Sequence, residues 1–289
     1  MVIEADPEFK KYRSRPDHMQ CIDYLMESED EATRLEMKTD CRSVEAQARW
    51  AGLGPGMRVA DICCGTGKTS ACLNGLVQPG GTVIGIDGSP ERVAYAVDHY
   101  GGEGIEFRFR DIREPLEDLG LFDFVWVRFV LEYYRSTGFQ LVSHLSRIVK
   151  PGGVLCLIDL DHNCLCHYGI PPRLERTLFA LVGMSEREAD FDPYAGRRLY
   201  SHLYRLGYQE IDLFVEAHHL IFGDLEGKDS YNWAKKVEVA SRKLGFDFAE
   251  YGGGVEEFKA EFREFFSDPG RFTYSPLIRC RGRRPLDER

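Results

Sequence analysis

Apolar positions along the chain alternate between two rhythms. Short apolar runs of strand type recur near 59–62, 82–86, 105–109, 122–127 and 153–159. Between them, near 68–77, 90–99 and 138–149, apolar residues return at helical spacing. Strands and helices alternating at this spacing predict a parallel sheet with helices on both faces and right-handed crossovers. Ligands of such sheets sit at the carboxyl ends of the strands.

The flanks follow a different pattern. Residues 1–53 read as a helical cap: Ser28 with Glu31 gives a capping-box signal, and a helix from Glu29 could run to Ala51, with Asp40 restarting it. After the fifth strand comes a looser helical insert at 161–192, then a helix at 197–206 and a sixth strand over 209–215. Trp233, Val237, Ala240 and Leu244 line one face of a helix that stops at Gly245, and Val255, Phe258, Phe262 and Phe265 line another. Phe266 joins that set, which reads as core packing and could also wall an apolar pocket. Phe272 to Arg281 is expected to be a last strand, antiparallel beside the sixth. The expected organisation is a cap (1–53), a core (54–223 and 271–284) and a helical lid (224–270).

The stretch Val59 to Thr69, VADICCGTGKT, joins the first strand to the first helix. Gly65 and Gly67 let the backbone turn tightly, and the helix opening presents free N–H groups above the strand. Gly67-Lys68-Thr69 copies the end of a Walker A loop, but Ile62 stands where that loop needs its first glycine. A dinucleotide fingerprint would have a third glycine at the position of Ser70. Asp87 ends the second strand twenty positions after Gly67, where an acid meets ribose hydroxyls in more than one nucleotide-binding class.

Asp61-x-Cys63-x-Gly65-x-Gly67 resembles the [DE]-x-G-x-G-x-G motif of class I S-adenosylmethionine-dependent methyltransferases, with Cys63 in place of the first glycine. Phe107 to Ile112 resembles the family's adenine-binding motif, Phe122 to Val127 its fourth strand, and Arg147 to Asp159 its L-K-P-G-G turn and fifth strand. The match runs in order from Leu53 to Leu160 and is most similar to the UbiE-like small-molecule methyltransferases, where a stretch like Arg128 to Leu131 follows strand four. The resemblance implies an α/β, Rossmann-like, seven-stranded sheet with an antiparallel last strand. It also implies S-adenosyl-L-methionine as cofactor, leaving as S-adenosyl-L-homocysteine.

On the same resemblance, Cys63, Gly65 and Gly67 shape the backbone around the methionine part, Asp61 bonds near its amino group, and Asp87 with Gly88 takes the ribose. Asp111 and Ile112 hold the adenine, Arg128 stands beside the cofactor, and Tyr24 and Arg34 reach over it from the cap, an arginine suiting the methionine carboxylate.

Methyl transfer from a sulfonium mainly requires alignment and exclusion of water, with a base only where the acceptor arrives protonated. Candidates after strands four and five are Tyr133 and, as first choice of base, His162 beside Asp161; Glu132, Tyr134 and Asp159 lie close by. His162, Cys164, Cys166 and His167 have spacing poorly suited to a zinc tetrahedron, so no metal is expected. Arg279, Arg281, Arg283 and Arg284 read as a solvated strand end.

The 289 residues carry a formal net charge of −10, which argues against a nucleic-acid substrate and for a small-molecule acceptor. No apolar run reaches a membrane span, and the N-terminus lacks a signal-type apolar region. Nine scattered cysteines read as reduced thiols in a cytoplasm. Readings from other classes are a non-enzymatic cofactor-binding sensor or inactive partner, a nucleoside-triphosphatase and an oxidoreductase.

Overall fold

A computed structural model describes residues 31–286. Ser28, Tyr24 and the side chain of Ala240 lie outside the described residues.

The cap helix breaks at Asp40, where the sequence offered a restart, into α1 (Glu31–Lys38) and α2 (Cys41–Trp50). The break follows from Asp40, whose carboxylate accepts the backbone N–H groups of Arg42 and Ser43 and so starts a new helix. The core then alternates as read: β1 (Arg58–Ile62), α3 (Lys68–Val77), β2 (Thr82–Asp87), α4 (Pro90–Tyr100), β3 (Ile105–Phe109), β4 (Phe122–Arg128), α5 (Gly138–Leu145) and β5 (Val149–Leu160). The insert at 161–192 is firmer than expected, holding the two-residue strand β6 (His167–Tyr168) and α6 (Pro172–Glu188). There follow α7 (Leu199–Arg205), β7 (Gln209–Phe222), α8 (Gly227–Lys243), α9 (Gly254–Ser267) and β8 (Phe272–Arg283).

The sheet runs β3-β2-β1-β4-β5-β8, with β6 and β7 both pairing β8. Strands β1 to β5 pair in parallel, and β8 is antiparallel to β5 and β7. Among the described residues, short β6 brings the sheet to eight strands where seven were expected. The sixth strand is longer than read: Leu160 of β5 stops opposite Leu277, while β7 and β8 pair on to Phe222 and Phe272. The β7–β8 ribbon therefore projects past the carboxyl end of β5. The expectation ended at Val215 because Glu216, Ala217, His218 and His219 interrupt the apolar run there, although His219 and Ile221 are buried in the structure.

Two hydrophobic clusters lie on the two faces of the sheet, one including Val125, Leu145 and Leu155 and the other Val59, Leu73 and Trp126. A further cluster belongs to the added helices: Leu178, Trp233, Phe258, Phe262 and Phe266 pack together with Ile221 of the projecting ribbon. Cys41 of α2 is disulfide-bonded to Cys72 of α3, with Cα atoms 5.7 Å apart. This corrects the expectation that all cysteines are reduced and removes the ground for inferring a reducing cytoplasm. Packing of α2 on α3 brings together two cysteines that sequence spacing does not associate. Among the described residues no helix is long and apolar enough to cross a membrane.

Candidate active site

Buried Asp61 is next to last in β1, and its carboxylate accepts a 2.6 Å hydrogen bond from Ser70 Oγ at the start of α3. Burial pushes the Asp61 carboxyl up to about 7, against the pull of the Ser70 hydrogen bond and the Arg128 charge. The chain then turns at Cys63 with φ 57°, a left-handed conformation that favours glycine, so the family's glycine and this cysteine serve the same turn. Gly65 donates its N–H to Asp87 Oδ2 at 2.9 Å. Gly67 has φ 87°, and a Cβ there would lie 2.7 Å from both Ala96 and Phe107, so glycine lets α3 start against α4 and β3. Lys68, which a Walker A loop would aim at phosphates, instead donates to the Glu36 carbonyl of α1 at 2.6 Å.

Asp87 ends β2, and its Oδ1 accepts Ser89 N–H and Arg92 Nε at 2.9 and 3.0 Å. With Gly65 on Oδ2, this aims the carboxylate and leaves a lone pair on Oδ2 for a hydroxyl. The nearest atom to a Cβ built on Gly88 is the Arg110 carbonyl at 3.8 Å, so space remains above the strand end. Beyond β3, Asp111 accepts the Arg113 backbone N–H at 2.9 Å and its guanidinium. Burial raises the Asp111 carboxyl, but these bonds outweigh it and hold the group below its ordinary value. Ile112 is buried beside it as an apolar wall. Tyr134 joins this end, its phenol pushed up by burial and then by the neighbouring charges of Cys63, Asp111 and Asp87, with Arg113 opposing.

A second polar cluster stands at the ends of β4 and β5. Arg128 donates Nε to Gln47 of α2 at 3.2 Å and lies 4.2 Å from the Phe129 ring centre. Burial lowers its guanidinium to about 10, with Asp61 among the carboxylates opposing. Lys38 Nζ also lies 4.2 Å from that ring centre, and burial, then the charges of Arg34 and Lys236, lower it to about 7. Buried Glu132 accepts Asn163 Nδ2 at 2.6 Å and gives its backbone N–H to Asp159 at 3.2 Å. Burial, then the Glu132 charge, raises Asp159 well above the ordinary carboxylate range, against the backbone N–H groups of Leu160 and Glu132 that it accepts. Lys236 of α8 donates to Asn163 Oδ1 at 3.2 Å.

The projecting ribbon closes this cluster. His218 lies 4.9 Å from Phe129 and 4.3 Å from His219, whose ring is 5.7 Å from Trp233. Neighbours in a strand ordinarily face opposite ways; a register shift between Ala217 and His219 brings the two rings together. Burial pushes both imidazoles far below their ordinary value and keeps them neutral. Among the described residues, His218 Nε2, Asn232 Nδ2 and Trp233 Nε1 are buried with no hydrogen-bond partner, which leaves two donors and an imidazole nitrogen for a polar ligand.

The glycine-loop residues lie together, with Asp61, Asp87, Asp111 and Arg128 at or just beyond the carboxyl ends of β1, β2, β3 and β4. Other expected residues stand elsewhere. The Arg34 guanidinium is engaged by Glu31 at 2.7 and 2.8 Å and by Asn232 of α8 at 3.1 Å, tying cap to insert. Tyr24 is outside the described residues. Asp161 accepts both Arg197 Nε and Nη2, at 2.8 and 3.0 Å, and His162 Nε2 lies 2.8 Å from the same guanidinium, with 44% of its side chain exposed. Tyr133 packs its ring 5.8 Å from Phe191. His167 has Thr273 Oγ1 at 2.8 Å and the Cys164 carbonyl at 3.1 Å on its two nitrogens, and burial lowers it to about 4.

The basic tail is a correction: Arg279 is buried, lying 4.7 Å from the Trp50 ring and 4.3 Å from Phe214. The β7–β8 pairing and α2 cover it, which charge counting along one strand does not reveal. Lys38, His218, His219 and Lys236 were not singled out from the sequence. The adjacent histidines were a visible signal, but only the bulge makes them neighbours in space.

Residues 60–157 match the methyltransferase domain family. This stretch is a methyltransferase domain. A demethylmenaquinone methyltransferase of Bacillus cytotoxicus is 35% identical over 108 residues, covering 36% of this chain and 45% of that protein. The chain spans about half the length of the curated relatives it matches. Among solved structures, phosphoethanolamine N-methyltransferase 2 of Haemonchus contortus, in complex with S-adenosyl-L-methionine, aligns with TM-score 0.56 and 15% identity, over 94% of this chain and 62% of that one. The [4+2]-cyclase SpnF aligns with TM-score 0.52 and 18% identity, over 85% of this chain and 82% of that one. The glycine turn and the motifs of strands three and four read from the sequence all fall within this stretch of residues 60–157.

Proposed function

We propose that the chain transfers a methyl group from S-adenosyl-L-methionine to an oxygen, nitrogen or carbon atom of a small-molecule acceptor. The carrying observation is adjacency: the glycine loop and Asp61 lie beside a buried polar cluster that runs through Arg128 and Lys38 to α8. The donor set suits the cofactor, since a Cβ at Gly67 would fill the turn and Asp87 keeps a lone pair beyond its protein donors. Bound there, the cofactor supplies an electrophilic methyl group on a sulfonium.

In this reading Gly65 and Gly67 shape the turn, Asp87 with Gly88 orients the ribose, and Asp111 with Ile112 borders the adenine. Asp61 faces the amino group, and Arg128 braces this end through Gln47. Helices α8 and α9 act as the lid that excludes water. Where the acceptor arrives protonated, Lys38 is better placed as base than His162, since an amine at about 7 has a large neutral fraction at neutral pH. His162 is partnered with Arg197 instead.

The test is calorimetric titration with S-adenosylhomocysteine, with ATP and NAD as controls, followed by methyl-group transfer to panels of small acceptors. Binding of the homocysteine compound alone, then transfer, is expected. Binding of ATP or NAD in its place would sink the reading. A second reading is a chain that binds the cofactor without turnover, which the residues of the cofactor end would serve equally well. Tight binding with no transfer to any acceptor class would favour it.

A further inference from the structure

Beyond β4, on the side of α5 and α7, lies a cavity of about 260 Å³. Its wall carries Arg135 from the loop before α5, Arg198 just ahead of α7, and Arg205 at the end of α7. Asp192 is the one acidic residue in that wall among the described residues, and it pairs with Arg198 at 2.8 Å. Arg135 has Glu186 at 3.4 Å. Arg205 has no carboxylate partner among the described residues; its guanidinium lies 3.6 Å from the Phe139 ring centre. In a chain of net charge −10, this wall keeps a surplus positive charge.

Two further groups face the same space. α5 begins at Gly138 with no side-chain cap from Thr137, beside a cavity lined by Ser136, Gly138 and Gln140. Ser136 itself gives its N–H and hydroxyl to the Asp190 carboxylate at 2.9 and 2.8 Å, so the N–H groups of the helix proper are the ones left for a ligand. His202 also lines it, 9% exposed, with no hydrogen-bond partner on Nδ1 among the described residues. A Cβ on Gly138 would come 3.8 Å from His202 Nε2, so this ring closes over the helix start. Burial lowers His202 to about 4 and keeps it neutral.

We infer that this cavity binds an oxyanionic group, a phosphate or a carboxylate, of a small ligand, held by the arginine side chains and the opening of α5. Guanidinium forks and open helix N–H groups both match planar or tetrahedral oxyanions. The inference does not depend on methyl transfer, although Tyr134 borders both this cavity and the cofactor end.

The experiment titrates the full chain, without cofactor, with inorganic phosphate and separately with acetate, at constant ionic strength set by chloride. Binding above chloride is expected for at least one of them. It should fall about tenfold in Arg205→Gln, the loss of one charged hydrogen bond, and stay unchanged in Lys259→Gln, on the distant helix α9. Arg205 is exposed, so the variant is expected to fold, which circular dichroism checks. Binding of phosphate assigns a phosphate group and of acetate a carboxylate. No binding of either, or equal binding by Arg205→Gln, overturns the inference, whatever the homocysteine titration gives.

Discussion

At the carboxyl ends of β1 to β3 the polar groups come from three short stretches, Asp61–Gly67, Asp87–Gly88 and Asp111–Ile112, each a strand end with its own turn. The cluster beyond β4 and β5 is assembled differently. Lys38 comes from the cap, Glu132 and Asn163 from separate loops, His218 and His219 from the ribbon, and Trp233 and Lys236 from an added helix. Local backbone geometry builds the first region, and long-range packing builds the second. A cofactor of fixed shape can be held by turns whose residues are dictated locally. An acceptor is recognised by side chains that inserted elements bring in, which turn chemistry does not constrain.

If the regions are this separate, damage to one should spare the other. Phe258→Ala empties a fully buried site in the insert cluster and is expected to cost about 3–5 kcal/mol of stability in urea denaturation. S-adenosylhomocysteine affinity should stay within about 0.5 kcal/mol in the folded variant; a larger fall would mean that insert packing also sets the cofactor end.

Gly67→Ala attacks the other region. Its methyl group would need the 2.7 Å space beside Ala96 and Phe107 at a left-handed φ, for an expected cost of about 2–3 kcal/mol. Unlike Phe258→Ala, it should abolish measurable cofactor binding. Retained affinity in calorimetry would show that the turn tolerates a side chain and that its shape is not what holds the cofactor.

Asp87→Ala should weaken S-adenosylhomocysteine binding by about 1–3 kcal/mol, since it removes the proposed ribose acceptor and the anchor of the Gly65 N–H. Unchanged affinity in a folded variant would mean the ribose lies elsewhere.

The smallest effect is a pH dependence. Asp61 sits at about 7 with its carboxyl raised by burial, and only its ionised form pairs with an ammonium. Affinity should therefore rise with pH, by about tenfold between about pH 6 and about pH 8. Asp61→Asn should lose that Asp61-dependent rise; an identical slope in the variant would assign the titration to another group, Lys38 first.

The alternation of strands and helices, the strand-end acids and the glycine turn were legible because each is a local pattern: burial of a strand, or a φ that a side chain resists. Cys63 illustrates the point, since its positive φ preserves the turn even where the glycine is gone. Asp40 was equally readable as a restart of the cap helix. The histidine nearest strand five drew attention by its neutral reference pKa, yet Arg197, thirty-five residues on, occupies it.

By itself the sequence determined the order of elements, the parallel core and the cofactor end, because hydrophobic period and turn chemistry act over a few residues. Tertiary structure alone decided the Cys41–Cys72 bond, the burial of Arg279, the length of the β7–β8 ribbon and the pairing of His218 with His219. Each depends on which surfaces meet after the chain has crossed the sheet, and desolvation at those meetings, not residue type, moves Lys38 and Asp61 to about 7.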